Sequence, residues 1–324
     1  MLCARVTGRH RDGGVLKALN QLIVRTLPLV PKPIVRRIAS RYVAGETLEE
    51  ALRVVQRLNA EGCMATLDVL GEDVTRREET EQTVTDYLRA LTAIAERGLD
   101  SNISVKLTAL GLKLDAAQCR RQFARIVEAA RAHGNFVRID MEDSSVTEET
   151  IRIFLEFRER YEKVGLVLQA YLHRSAADAR RVAAAGPVNV RVCKGIYVEP
   201  PEIAFQDREQ IRRSYMELVE SLLAGGAYVG IATHDPPLVE RSVAAVRRLA
   251  LPAHAYEFQM LLGVAGDLRR KLVADGHRLR VYVPYGAAWY AYSVRRLKEN
   301  PSMAGHVLAG IFRPERKAAS KGKS

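Results

Sequence analysis

Eight short runs of apolar and β-branched residues recur along the chain: ATLDVL (65–70), ISVKL (103–107), FVRID (136–140), LVLQAYL (166–172), NVRVCK (189–194), YVGIAT (228–233), YEFQML (256–261) and RVYVPY (280–285). Between them lie stretches with helical spacing, such as Glu78–Arg97, Ala116–His133, Glu148–Lys163, Ala176–Ala185, Glu202–Ala224 and Pro237–Leu249. Alternation repeated on this scale predicts an α/β fold of the (β/α)8, TIM-barrel type rather than an open sheet. Asp115, Thr147 and Asp235 are expected to cap helix N-termini, and Gly134 and Gly186 to stop helices.

Residues 15–62 carry apolar helical patterns broken by Pro28, Pro31 and Pro33. They predict an N-terminal helical arm, spanning 1–62, packed beside a barrel that occupies 63–312. A cleaved transit peptide is the rival reading of the arginine-rich start, but the segment is poor in Ser and Thr and its apolar face runs on past a usual processing length. The last residues, 313–324, are expected to form a disordered basic tail.

Period-two alternation sorts the strand residues by face. Val105 and Leu107 oppose Lys106, Val137 and Ile139 oppose Arg138 and Asp140, and Val190 and Val192 oppose Arg191 and Cys193. The apolar set belongs against the helices, which leaves Lys106, Asp140 and Arg191 pointing into the barrel near its top. Gln169, Thr233, His234 and Tyr282 fall at similar heights. In barrels of this type the reactive end is the one where strands stop. Lys106, Arg191, Lys194, Arg295 and Arg296 then face only Asp140 and Glu299, so a surplus of positive charge is expected at the mouth. Anions are its natural guests: a phosphate-bearing cofactor and a carboxylate substrate. Gly195, after Lys194, would admit close approach of a ligand to the backbone.

The segment from Arg280 to Asn300 adds detail. An apolar strand ends in Pro284-Tyr285-Gly286, and a helix follows on which Tyr292, Arg295, Arg296 and Glu299 share a face. Adjacent guanidiniums repel unless anions meet them. Glu299 can satisfy one, and a planar carboxylate or phosphate can engage the other through a bidentate fork.

Composition narrows the field. With 324 residues, 48% apolar and 27% charged, the chain can bury a large core, and no run of about 18 apolar residues spans a membrane. Cys3, Cys63, Cys119 and Cys193 are scattered, which fits a reducing cytoplasm and no zinc site. No metal set assembles around His234, His173 or His254. A net charge of +12, concentrated at both ends, draws anionic surfaces. Without zinc-finger spacing, a basic zipper or aromatic-basic interleaving, nucleic acid is a poor candidate and a membrane surface a better one. GxGxxG and P-loop patterns are absent as well. Lys106 could instead serve as a Schiff-base lysine in a lyase, and a basic adaptor that uses the barrel only as a scaffold is the non-enzymatic alternative.

The motifs TLDVLGE (66–72), SVKLTALG (104–111), RIDMED (138–143), QAYL (169–172), RVCKGIYVEPPEIAF (191–205), ATHD (232–235), YEFQMLLG (256–263), and VYVPYG with WYAYSVRRLKENP (281–301) occur in this order. Together they resemble the monofunctional proline dehydrogenases, flavoenzymes whose barrel also forms one domain of bifunctional proline-utilisation proteins. The resemblance implies a distorted (β/α)8 barrel holding noncovalent FAD, oxidation of L-proline to 1-pyrroline-5-carboxylate by hydride transfer to the flavin N5, and a membrane quinone as electron acceptor. It implies that Arg295 and Arg296 clamp the proline carboxylate, with Lys106 beside it and Glu299 orienting the guanidiniums. Tyr282 would pack on the substrate ring and disfavour a hydroxylated proline, although hydroxyproline or another cyclic imino acid is the alternative substrate. Asp140 and Arg191 fall at the catalytic positions. Met141, Gln169, Arg191, Lys194, Gly195, Ile196, Thr233 and His234 fall at FAD-contacting ones. A cytoplasmic protein, peripheral on the inner face of the cell membrane, would suit the quinone and the basic ends. No aldehyde dehydrogenase or DNA-binding segment flanks the barrel, so the second step of proline catabolism is expected to belong to another protein.

Overall fold

The computed structural model describes residues 40–71, 74–290 and 292–293. Arg295, Arg296 and Glu299, most of the expected arm and the basic tail lie outside the described residues. Arg41–Ala288 form one compact unit. A second unit has Ser40, Trp289, Tyr290, Tyr292 and Ser293 as its described residues, and the last four are helical, as the spacing predicts.

Eight parallel strands close into a barrel in sequence order, with β8 pairing back onto β1. They are β1 (Met64–Val69), β2 (Ser101–Val105), β3 (Val137–Ile139), β4 (Val164–Gln169), β5 (Asn189–Cys193), β6 (Tyr228–Ala232), β7 (Tyr256–Leu261) and β8 (Leu279–Tyr285). Each falls on one of the eight apolar runs. The helices are α1 (Leu48–Ala60), α2 (Arg77–Glu96), α3 (Ala116–Ala132), α4 (Ser144–Arg160), α5 (Ser175–Ala183), α6 (Arg208–Ala224), α7 (Pro236–Arg248) and α8 (Gly266–Ala274). Helix α1 lies in the stretch expected to flank the barrel. It buries Ala51, Leu52, Val55 and Leu58 and packs on β1 and β8. The main core fills the layer between strands and helices, where Leu67, Ile103, Val105, Ile139, Val192 and Ile231 are wholly buried.

Three local expectations are corrected. Helix α4 starts at Ser144, not near Thr147. Asp143 caps it by accepting from the Ser145 N–H at 3.0 Å, and Glu199 accepts from the Ser144 N–H at 2.7 Å. Thr147 sits inside the first turn, donating its hydroxyl to the Asp143 carbonyl. Helix α6 starts at Arg208 behind the cap Asp207 rather than at Glu202, because Pro200 and Pro201 hold the preceding residues in turns. Asp235 occupies the N-cap position of α7 without capping it, since its carboxylate is drawn to Arg212 and Lys194. Asp115 caps α3, and Gly134 and Gly186 follow their helices with positive φ, as expected.

The inside of the barrel is polar, unlike the layers of branched apolar residues common in this architecture. Low on the axis, Arg138 is 2% exposed and donates to the carbonyls of Leu166 and Asn189 at 2.8 Å each. Burial, with Arg191 nearby, lowers its pKa to about 9. Arg280 pairs with Glu257 at 2.9 Å. Burial works against the Glu257 charge, yet Arg280 and its hydrogen bonds hold the carboxyl at about 2. Two glycines make room for large neighbours: a Cβ on Gly165 would lie 2.6 Å from Arg138 Nη1, and one on Gly230 would lie 2.5 Å from Gln259 Nε2.

Two stability effects follow. Gly165→Ala pushes a methyl against Arg138, Phe136 and the Asn189 carbonyl, so urea unfolding should show a loss of about 2 kcal/mol, typical of overpacking. An unchanged midpoint would contradict the packing described. Glu142, whose Oε1 accepts from the Thr108 N–H at 3.0 Å, is raised by burial from 4.5 to about 7. The folded state therefore keeps a proton that the unfolded chain releases above pH 4.5, and stability falls as pH rises from there through about 7. Glu142→Gln mimics the protonated form. It should match the unaltered protein near pH 4.5 and exceed it by about 3 kcal/mol at pH 8. A difference that does not vary with pH would contradict this.

Candidate active site

The C-terminal ends of the strands carry a cluster centred on Asp140, which follows β3 and is 8% exposed. Its Oδ1 accepts from Arg191 Nη1 of β5 at 2.7 Å and from the Ser104 hydroxyl of β2 at 2.6 Å. Its Oδ2 accepts from the Tyr282 hydroxyl of β8 at 2.8 Å and lies 3.5 Å from Lys106 Nζ. The chain's period-two pattern brings these residues together, because each projects inward from its strand or from the residue after it. Burial disfavours the Asp140 charge, but Lys106 and Arg191 outweigh it and hold the carboxyl below its usual range. Arg191 is fixed from below as well. Its Nε donates to Gln259 Oε1 at 2.5 Å, and Gln259 Nε2 donates to Glu257. The Arg191 guanidinium carbon sits 5.3 Å from the centre of the Tyr282 ring.

Lys106 is 8% exposed, and its shortest contact is not Asp140. Nζ donates to Asp68 Oδ1 of β1 at 2.7 Å and to the Tyr282 hydroxyl at 3.1 Å. Burial opposes its charge, and the Asp68 carboxylate, Tyr282 and Asp140 overcome this and hold its pKa well above the ordinary lysine range. A Schiff-base nucleophile must be a neutral amine. The Asp68 carboxylate and Tyr282 favour the charged form of Lys106, which does not suit the lyase reading.

A second group lies past β5 and β6. Lys194 Nζ is 3.2 Å from Asp235 Oδ2, and Arg212 clasps the same carboxylate at 2.8 and 3.0 Å. Burial raises the Asp235 carboxyl, but the hydrogen bonds and charges of Arg212 and Lys194 bring it below its usual range. The Thr233 hydroxyl accepts from the Asp235 N–H, and His234 Nε2 accepts from the Leu261 N–H at 2.8 Å. Burial and the Lys194 charge lower the His234 pKa to about 4, so the ring is neutral and carries its hydrogen on Nδ1. Gln169 donates to the Glu142 carbonyl at 2.8 Å, Met141 belongs to the hydrophobic core, and Ile196 is 40% exposed.

Two expectations change. Asp68 and Asp235 give Lys106 and Lys194 buried carboxylate partners, as Asp140 does for Arg191, so among the described residues the mouth is not overwhelmingly cationic. Gly195 does not simply leave room for a ligand: its φ is +111°, and a Cβ there would meet the Tyr171 ring at 2.1 Å. Its lack of a side chain admits Tyr171. Asp68, Ser104 and Gln259 join the expected residues at the site, and the alternation that selects Lys106 marks them as inward too. In MATLDV, Thr66 and Asp68 oppose Ala65, Leu67 and Val69.

Comparison with known proteins identifies the family. Residues 51–308 match the family model described as Proline dehydrogenase. The chain is 39% identical over 275 residues to Proline dehydrogenase 1 of Bacillus subtilis, covering 85% of this chain and 91% of that protein. It is 36% identical over 286 residues to Proline dehydrogenase of Deinococcus radiodurans, covering 85% and 90%. Among solved structures, proline utilization A from Bdellovibrio bacteriovorus, inactivated by N-propargylglycine, superposes with a TM-score of 0.77 at 25% identity. That alignment covers 87% of this chain and only 34% of the longer protein. The chain belongs to the proline dehydrogenase family and is an enzyme of that kind.

Proposed function

We propose that the chain oxidises L-proline to 1-pyrroline-5-carboxylate as the first step of proline catabolism, with FAD as its bound cofactor and a membrane quinone receiving the electrons. The observation that carries the reading is the Asp140 cluster, a set of ionised and hydrogen-bonded groups at the strand ends of a barrel that belongs to this family. The donor set suits FAD. Arg191 and Lys194 bring cations for phosphate and for a reduced ring. Gln169, Thr233 and the Nδ1 hydrogen of His234 bring neutral partners, and half-exposed Ile196 offers an apolar surface. With Met141 and Gly195, these residues would hold the dinucleotide. FAD, when bound, supplies the hydride acceptor.

The chain's own residues bind and orient. Arg295 and Arg296 would grip the proline carboxylate through rigid forks, with Glu299 holding the guanidiniums and Lys106 adding its ammonium. Such a grip fixes the carbon that loses hydride, an orientation effect. The same cations lower the pKa of the substrate ammonium, which must lose a proton before hydride leaves. Tyr282, anchored by its hydroxyl to Asp140 and Lys106, gives the site a fixed wall against which a hydroxylated ring would fit poorly. Arg191, held by Asp140 and Gln259, would stabilise negative charge developing beside it. Asp140 serves by keeping that cation and Tyr282 in place.

Among the described residues no helix is long and apolar enough to cross a membrane. The net charge of +12 favours peripheral contact with an anionic membrane surface on the cytoplasmic side, where a quinone is within reach.

Purified protein should show flavin absorption bands that bleach when L-proline is added anaerobically. A colourless protein, or bands indifferent to proline, would contradict the proposal. Arg295→Ala or Arg296→Ala should raise KM for proline by about tenfold to a hundredfold, the worth of a charged hydrogen bond, with flavin retained. Lost flavin with unchanged KM would count against the assigned roles.

A further inference from the structure

Asp68 has no part in the reading above, yet it is among the most deeply buried charged side chains of the barrel, with 0% exposure. It stands on β1 opposite Ser104, one turn of the pleat below Lys106. Its Oδ1 takes the Lys106 ammonium at 2.7 Å, and among the described residues its Oδ2 has no hydrogen-bond partner. Asp140 by contrast is engaged by Arg191, Ser104 and Tyr282 and reaches Lys106 only at 3.5 Å. The two carboxylates thus divide the cations between them: Asp140 holds the guanidinium and Asp68 the ammonium.

An ammonium has three N–H donors. Asp68 and the Tyr282 hydroxyl take two of them at 2.7 and 3.1 Å, which leaves the third with only a long 3.5 Å contact to Asp140 Oδ2. We propose that Asp68 is a positioning residue that keeps Lys106 charged and aims one of its N–H bonds at the substrate carboxylate. The inference rests on the proline reading of the site.

The groups facing Asp68 are Lys106 on β2, Asp140 beyond β3, Tyr282 and Tyr285 on β8, and Tyr87 on α2. Burial raises the pKa of both Tyr87 and Tyr285, so neither supplies charge in the working range. Removing the Asp68 charge leaves only the more distant Asp140 carboxylate to support the ammonium, and Lys106 should release its proton at lower pH.

The test is competitive acetylation of lysines with acetic anhydride over a pH series, read by mass spectrometry on the flavin-loaded protein. In the unaltered protein the Lys106 midpoint should lie above the ordinary lysine value of about 10.4. Asp68→Asn should lower the Lys106 midpoint by about one pH unit or more, a tenfold change in proton affinity. KM for L-proline should rise about tenfold in that variant, by a factor that grows with pH, while the flavin spectrum is kept. An unmoved Lys106 midpoint, or a KM ratio flat with pH, overturns the inference. If Asp68→Asn does not fold, a Lys106 midpoint at or below the ordinary lysine value of about 10.4 in the unaltered protein overturns it alone. If the midpoint moves but neither protein responds to proline, the coupling of Asp68 to Lys106 stands and the proline reading fails.

Discussion

An ionised carboxylate in the dry interior of a closed barrel survives only where cations and hydrogen bonds replace the water it has lost. Asp140 meets that condition through four groups arriving from β2, β5 and β8: Lys106, Ser104, Arg191 and Tyr282. Each of those groups depends on it in turn. Without Asp140, Arg191 would lose its salt bridge and Tyr282 its acceptor at 2.8 Å, and Lys106 would keep Asp68 and the phenol. The site is therefore one electrostatic object rather than a set of independent residues. Replacing any member changes the charge state or the aim of the rest.

That object stands on a second polar layer. Gln259 connects Arg191 to Glu257, which Arg280 neutralises, and Arg280 donates to the Ala65 carbonyl at 2.6 Å. Gly230 leaves the space that Gln259 occupies. A guanidinium fixed from below by an amide and from the side by a carboxylate has little rotamer freedom left. The cost of ordering it is met during folding rather than during catalysis, as preorganised electrostatic sites require. The polar interior, unusual for a barrel core, thus gives the active residues a rigid base.

Much of this was legible in the chain. The eight apolar runs mark all eight strands, since a strand against a helix layer must present apolar residues on alternate positions. The same alternation puts Lys106, Asp140 and Arg191 inside. Partnership was harder to read. Asp68 and Lys106 lie far apart in sequence and meet only because β1 and β2 are neighbours in register, so no local pattern shows that Lys106 has this carboxylate. Asp235 resembled a helix cap, and nothing local signals that Arg212, from the preceding helix, claims it. Thr147 and Glu202 were displaced as helix starts by Asp143 with Glu199 and by Asp207 after two prolines. Gly195 reads locally as room for a ligand at the backbone, and only the fold shows that its missing side chain also admits Tyr171 from the neighbouring strand end.

The account is tested most directly by a crystal structure of the flavin-loaded protein with a five-membered cyclic carboxylate that lacks the ring nitrogen and so cannot be oxidised. The ligand's carboxylate should lie within hydrogen-bonding distance of Lys106 Nζ, its ring against Tyr282, and the Asp140–Arg191 bridge should be intact. A ligand bound away from Lys106, or an Arg191 released from Asp140, would contradict it.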